Sequence, residues 1–226
     1  MPSASSTSNF TSPERARLVD IYARLGTQLA RPAVEFSMLL GDPVFWGWGV
    51  PRGDGHSVLA LPGLGGGDGY LLPMRRWLGR IGYRPIDSGI DVNPGWSDEL
   101  VEELADLVEE EYRRSRSKVT IIGHSLGGVF GYVIAAHQPH MVRQLITLGS
   151  PLRFVRRRLS VSVPITAFYS RGDSVVRYPA AIAPDTHARN IEVDSSHIGM
   201  AGHREVYRRL GSLLRQTSDE VSQNAK

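Results

Sequence analysis

The chain has 226 residues, 41% of them hydrophobic and 22% charged, the proportions of one soluble globular domain with room for a sizeable core. Its formal net charge is only +3, so a pI of about 9.4 does not mark a nucleic-acid partner, which would need basic residues gathered on one face. There is no cysteine, which excludes disulfides, thiolate nucleophiles and cysteine-held metals.

The opening M-P-S-A-S-S-T-S-N-F lacks a basic segment followed by an apolar one, and no apolar run reaches the ~20 residues of a spanning helix. A soluble, cytoplasmic protein is expected. Residues 1–11 are small and polar and are expected to be disordered. Ser12, Pro13 and Glu14 read as an N-cap, a first-turn proline and an acidic first turn. Leu18, Val19, Tyr22, Leu25 and Leu29 continue as an apolar helical stripe that should end near Arg31 and Pro32.

Residues 33–50 are strongly apolar, with Phe36, Met38, Leu39, Leu40, Val44, Phe45, Trp46 and Trp48, but Glu35, Asp42, Pro43 and glycines interrupt them. Packing against the core is the plainer reading. A flap or a membrane-surface contact is the sharper one.

Ser57–Leu61 reads as a strand, followed by the glycine-rich loop P-G-L-G-G-G-D-G-Y from Pro62 to Tyr70. The phosphate-cradling pattern G-x-x-x-x-G-K-[ST] is absent there. Tyr83–Asp87 is a second candidate strand. Ser97, Asp98 and Glu99 open a helix with Leu100, Val101, Leu104, Leu107 and Val108 on one face. Its Glu102, Glu103, Glu109, Glu110 and Glu111 are expected to be solvated. Strands follow at Val119–Ile122, Val142–Leu148, Val163–Tyr169 and Asn190–Val193. The basic run Arg153, Arg156, Arg157 and Arg158 reads as a solvated loop. A last helix near His203–Arg215 carries Val206, Tyr207, Leu210, Leu213 and Leu214 on one face, and the tail from Thr217 is expected to fray. Six strands alternating with helices make an α/β chain, a mostly parallel sheet covered on both faces, in a single domain over 1–226.

The most informative stretch is K-V-T-I-I-G-H-S-L-G-G, from Lys118 to Gly128. A β-branched run leads into Gly123, His124, Ser125, Leu126 and Gly127, which fit G-x-S-x-G. Leu126, Val129, Phe130, Val133 and Ile134 then recur at helical spacing. Strand, glycine turn and helix is the context in which the central serine becomes a nucleophile at the apex of a strained turn. The following helix aims its N-terminus, with free N–H groups, at the same point.

On these residues the sequence resembles the α/β-hydrolase family, and G-H-S-L-G-G is most similar to its lipase and esterase branches. The string T-L-G-S-P at 147–151 resembles a strand end in lipases. The resemblance implies an α/β-hydrolase fold, here with the usual eight-stranded sheet trimmed at its N-terminal edge. Only about a dozen residues separate Pro151 from Val163, where many members insert a cap, which implies an open site unless residues 33–50 cover it.

Ser125 needs a base. His197 follows the last strand on a loop at the C-terminal edge of the sheet, where Ser125 also emerges. His203 is the second choice. Asp173, in the turn after Val163–Tyr169, is the expected acid, with Asp194 its competitor, and the order Ser125, Asp173, His197 matches the family's. By family position the oxyanion donors are the backbone N–H groups of Leu64 and Leu126, and Gly63 and Tyr70 are the expected substrate-binding positions.

The implied activity is hydrolysis of carboxylic esters of apolar acyl groups by an esterase or lipase, with a small-molecule ester or lipid as partner and no metal or organic cofactor. An acyltransferase or thioesterase would use the same three residues. A catalytically silent binding protein is the reading from another class.

Overall fold

The computed structural model describes residues 30–155 and 159–224, the last eight of them by their backbone alone. Expectations for residues 1–29 and for Arg156, Arg157 and Arg158 lie outside the described residues.

The six strands are β1 (Ser57–Leu61), β2 (Arg84–Ile86), β3 (Val119–His124), β4 (Val142–Leu148), β5 (Ile165–Tyr169) and β6 (Arg189–Glu192). They form one sheet in the order β2-β1-β3-β4-β5-β6, every neighbouring pair parallel. Alternation along each strand divides the core in two. Leu59, Leu61, Ile121 and Leu145 face α3 (Asp98–Ser115) and α4 (Leu126–His137). Val58, Ala60, Ile122 and Ile146 face α2 (Leu72–Arg80) and α6 (Arg204–Asn224). Coverage on both faces is what fully apolar strands such as β3 and β4 require.

The chain starts at β1, crosses outward to β2 and returns on the other side of β1 to β3, so the strand order reverses between β1 and β3. In open parallel sheets the crevice beyond the strands' C-terminal ends at such a reversal is where ligands bind. Loop Pro62–Tyr70 leaves β1 there and Ser125 leaves β3 beside it.

The structure departs from some of these expectations. Arg31 and Pro32, expected to close a helix, instead lie within the helix described from Ala30 to Leu40 (α1), and the apolar stripe before them lies outside the described residues. Residues 33–50 also divide between the two readings made of them. Leu39, Val44 and Phe45 join the core beneath α6, while Val34, Met38, Leu40, Trp46 and Trp48 are exposed.

Glu111 is not solvated. It is buried at the foot of the sheet, where it accepts from Ser57 Oγ at 2.6 Å and from Arg114 Nη2 at 2.7 Å and pairs with Arg84. Beyond Thr217 the backbone of α6 is helical to Asn224. The α2 helix, opened by Pro73 in its first turn, and the four-residue α5 (Tyr178–Ala181) complete the described helices. Among the described residues, no helix is long and apolar enough to cross a membrane.

Candidate active site

The turn after β3 is tight because glycines let three backbones meet. A Cβ on Gly127 would lie 2.2 Å from the carbonyl oxygen of Leu61, and one on Gly128 would lie 2.0 Å from Ser150 Oγ. Between them and the strand, Ser125 adopts φ 53° and ψ −120°, left-handed territory that a residue with a Cβ enters only under constraint. Its N–H is held by the carbonyl of Leu148 at 2.9 Å. The α4 helix behind it is buried all round from Leu126 to Ala135, so the apex is mounted on a rigid element.

Ser125, His197 and Asp173, far apart in the chain, meet at this point. Asp173 Oδ2 lies 2.7 Å from His197 Nδ1, and His197 Nε2 lies 2.9 Å from Ser125 Oγ. A carboxylate only accepts, so Nδ1 carries the imidazole proton and Nε2 is left to accept from the Ser125 hydroxyl. Asp173 Oδ1 is fully engaged, accepting the N–H groups of Val175 and Val176, each at 2.8 Å, which fixes the carboxylate's plane. All three side chains are buried, which strengthens each bond relative to water. The competitors are elsewhere: Asp194 is exposed and paired with Arg31, and His203 follows the Ile198–Gly202 turn at the start of α6.

Consecutive residues around His197 are each tied to a different element. The Ser195 N–H donates to Ser170 Oγ at 3.3 Å, beyond β5. The Ser196 N–H and hydroxyl both donate to the buried carboxylate of Glu35 on α1. The His197 carbonyl accepts from His124 Nε2 at 2.9 Å, and the Ile198 carbonyl accepts from Tyr70 Oη at 2.7 Å. His124 sits under the His197 imidazole, ring centroids 5.0 Å apart, and burial pushes its pKa down to about 3. Tyr70 packs its ring on His124 at 5.5 Å, and burial raises its phenol above the ordinary value.

The glycine loop passes over the serine. A Cβ on Gly63 would come 2.9 Å from Ser125 Cβ and 3.2 Å from His124 Nδ1, so no other residue fits without displacing the turn. Asn93 holds this loop from below, its Nδ2 donating to the Pro62 carbonyl at 2.9 Å while its backbone exchanges bonds with Gly65 and Gly66. Leu64 therefore follows directly on the residue packed against Ser125. Leu126 is the first residue of α4, and its N–H is among the four that a helix leaves without an internal partner. Tyr70 further lines a cavity of about 300 Å³ with Pro32, Phe36, Pro73, Met74 and Ile198, almost entirely apolar.

Sequence reasoning brought together Ser125, Asp173 and His197 but missed Glu35, Asn93 and the role of His124. Two small polar residues directly before His197, Ser195 and Ser196, were the available signal that its loop is anchored. Among the described residues, no group of His, Cys, Asp or Glu is arranged to hold a metal ion.

Residues 86–196, just under half of the chain, match a protein-family model described as "Putative esterase". The chain is 26% identical over 176 residues to a protein of Variovorax paradoxus (strain S110) named "Putative carbamate hydrolase RutD", covering 71% of this chain. The alignment spans 66% of that relative, so the chain matches just under two thirds of its length. Among solved structures it resembles the monoacylglycerol lipase of Paleococcus ferrophilus, with a TM-score of 0.56 at 13% identity over 74% of this chain and 96% of the other. It also resembles the type II thioesterase BorB from the borrelidin biosynthetic cluster, with a TM-score of 0.55 at 16% identity over 74% of this chain and 94% of the other.

Proposed function

Given that this chain belongs to the α/β-hydrolase family, we propose that it is a serine hydrolase of carboxylic esters with apolar acyl groups. The observation that carries the reading is the unbroken line of bonds from Asp173 through His197 to the strained Ser125. His197 Nε2 takes the Ser125 proton as Oγ attacks the ester carbonyl, and Asp173 stabilises the imidazolium that forms. The N–H groups of Leu64 and Leu126 receive the charge that develops on the carbonyl oxygen. As the intermediate collapses, the C–O bond to the alcohol breaks and His197 returns the proton to the leaving oxygen, which leaves an acyl group on Ser125. A water, deprotonated by His197, then attacks the acyl-enzyme, and as the bond to Ser125 Oγ breaks His197 returns the proton to that oxygen and the acid leaves.

The preference for an apolar acyl group is supported by the cavity beside Tyr70 and Ile198, which is at the small end of the ~300–1,000 Å³ range typical of ligand pockets and offers little to a polar group. A small ester, or a lipid within reach of the exposed apolar side chains of residues 33–50, is the expected partner. The same three residues would open a carbamate or a thioester, the substrates named for the relatives, so leaving-group chemistry has to be tested directly.

Hydrolysis of p-nitrophenyl esters with acyl chains of two to sixteen carbons, with Ser125→Ala as the blank, tests the reading. Turnover that depends on Ser125 and rises from two carbons toward medium chains supports it. Equal rates in wild type and variant on every ester would remove it, and thioester or carbamate turnover without ester turnover would redirect it.

A further inference from the structure

Glu35 is a carboxylate almost wholly withdrawn from water, on a helix outside the strand–helix alternation that builds the sheet. Burying such a group is costly unless its oxygens are satisfied, and they are. Oε1 accepts from the Ser196 N–H at 2.8 Å and from Arg31 Nε at 3.0 Å, and Oε2 accepts from the Ser196 hydroxyl. Ser196 Oγ in turn accepts from the Gly199 N–H at 3.1 Å. The space is reserved for this carboxylate: a Cβ on Gly199 would lie 1.6 Å from Glu35 Oε2 and 2.6 Å from Ser196 Oγ. Arg31 extends the contact to Asp194 at 2.6 Å, but that pair is exposed and adds little. The residue held most firmly by α1 is thus the one immediately before His197.

Resting on the serine-hydrolase reading, we infer that Glu35 is a positioning residue for His197, fixing through Ser196 the loop that presents the imidazole to Ser125. The loop's other anchors act at Ser195, at the His197 carbonyl and at Ile198, and each is a single hydrogen bond to one group. Glu35 alone takes both polar hydrogens of one loop residue, and so fixes that residue's rotation as well as its position. Its loss would leave a buried N–H and hydroxyl unsatisfied, and they would seek partners by moving the loop. A shift of the order of 1 Å at a proton-transferring group is enough to cost ~10²-fold in rate. Glu35 touches neither Ser125 nor the place of a substrate carbonyl, so its loss is read chiefly in the rate of the chemical step.

The test compares wild type, Glu35→Gln, Glu35→Ala and Ser196→Ala on p-nitrophenyl butyrate, together with the rate at which a fluorophosphonate labels Ser125. The Gln variant keeps an acceptor for the Ser196 N–H and is expected to lose about 10-fold in kcat. Glu35→Ala is expected to lose about 100-fold, with KM within twofold in both. Labelling should slow by the same factors. Ser196→Ala should fall between, and combining it with Glu35→Ala should add little further loss. The inference is overturned if kcat is unchanged in Glu35→Gln and Ser196→Ala while both remain folded, or if KM rises in place of a fall in kcat. Should Glu35→Ala fail to fold, the Gln and Ser196 variants decide. Wild-type turnover that vanishes in Ser125→Ala establishes the reading beneath, so a failure of that reading is seen separately, and the labelling rate reports on Glu35 even where no ester is turned over.

Discussion

His124 holds His197 by its backbone: the Nε2–H of the His124 imidazole donates to the main-chain carbonyl oxygen of His197 across 2.9 Å. The carbonyl can only accept, so the proton of His124 sits on Nε2, and its Nδ1 is buried with no hydrogen-bond partner. The residue next to Ser125 in the chain thereby supports His197 from beneath.

This arrangement sets an acid limit on stability. Burial, aided by His197, keeps His124 neutral down to about pH 3, whereas the unfolded chain takes up that proton near the ordinary value of 6.5. The unfolded state binds more protons between those values, so stability from this group is complete above pH 6.5 and is lost as pH falls toward 3. The slope is at most ~1.4 kcal/mol per pH unit. Burial lowers His56 and His203 in the same direction. Urea midpoints measured at pH 7.0, 5.5 and 4.5 should fall steadily. In His124→Gln, whose amide can still donate to the His197 carbonyl, part of that fall should disappear; an unchanged slope would contradict the assignment.

Asp173→Asn should leave the fold intact and the rate greatly reduced. Asparagine retains an oxygen for the Val175 and Val176 N–H groups but turns an amide toward Nδ1, which favours the wrong imidazole tautomer. A fall in kcat on the order of 10³–10⁴-fold is expected, with little change in KM or melting temperature. Steady-state kinetics on a short p-nitrophenyl ester with a parallel thermal melt would show this. A loss below tenfold would point to another acid.

The cavity beside Tyr70 predicts a length-selective effect. Ala33 lies in its wall on α1, and Ala33→Trp would fill much of about 300 Å³ without touching Ser125. The kcat/KM for an eight-carbon acyl ester should fall at least tenfold while that for the acetate stays within twofold. Parallel losses, or none, would place the acyl group elsewhere.

Gly128→Ala should destabilise the protein through the elbow. The added methyl would sit 2.0 Å from Ser150 Oγ and 2.7 Å from Ser150 Cβ, in a core with no room to yield. A loss of about 1–3 kcal/mol in urea unfolding is expected from overpacking of this kind. Gly69→Ala, where nothing lies within 4 Å of the added carbon, is the matched control and should change little.

The parts of this molecule legible in its sequence are those written locally. Val119–Gly128 carries strand, turn and helix within one short window, and β3, β4 and β5 announce themselves by β-branched residues. His197 and Asp173 were found because topology sends all the loops after parallel strands to one edge. Glu35 was hidden because its partner is 161 positions away, and an acidic residue in an apolar stretch reads as an interruption. Glu111 misled for a similar reason: it sits in a run of glutamates on α3, and two of the groups that make its burial tolerable, Ser57 and Arg84, arrive from β1 and β2. Pro32 suggested a helix end because proline breaks most helices, yet it lies inside α1.

The central claim is that Ser125, activated by His197, is the nucleophile, and the most direct measurement is the site of covalent capture by a fluorophosphonate. Intact-mass and peptide-mass analysis should show one adduct per chain, confined to the peptide containing Ser125. It should be absent in Ser125→Ala and at least 100-fold slower to form in His197→Ala. An adduct on any other residue, or capture at the same rate without His197, would contradict the account.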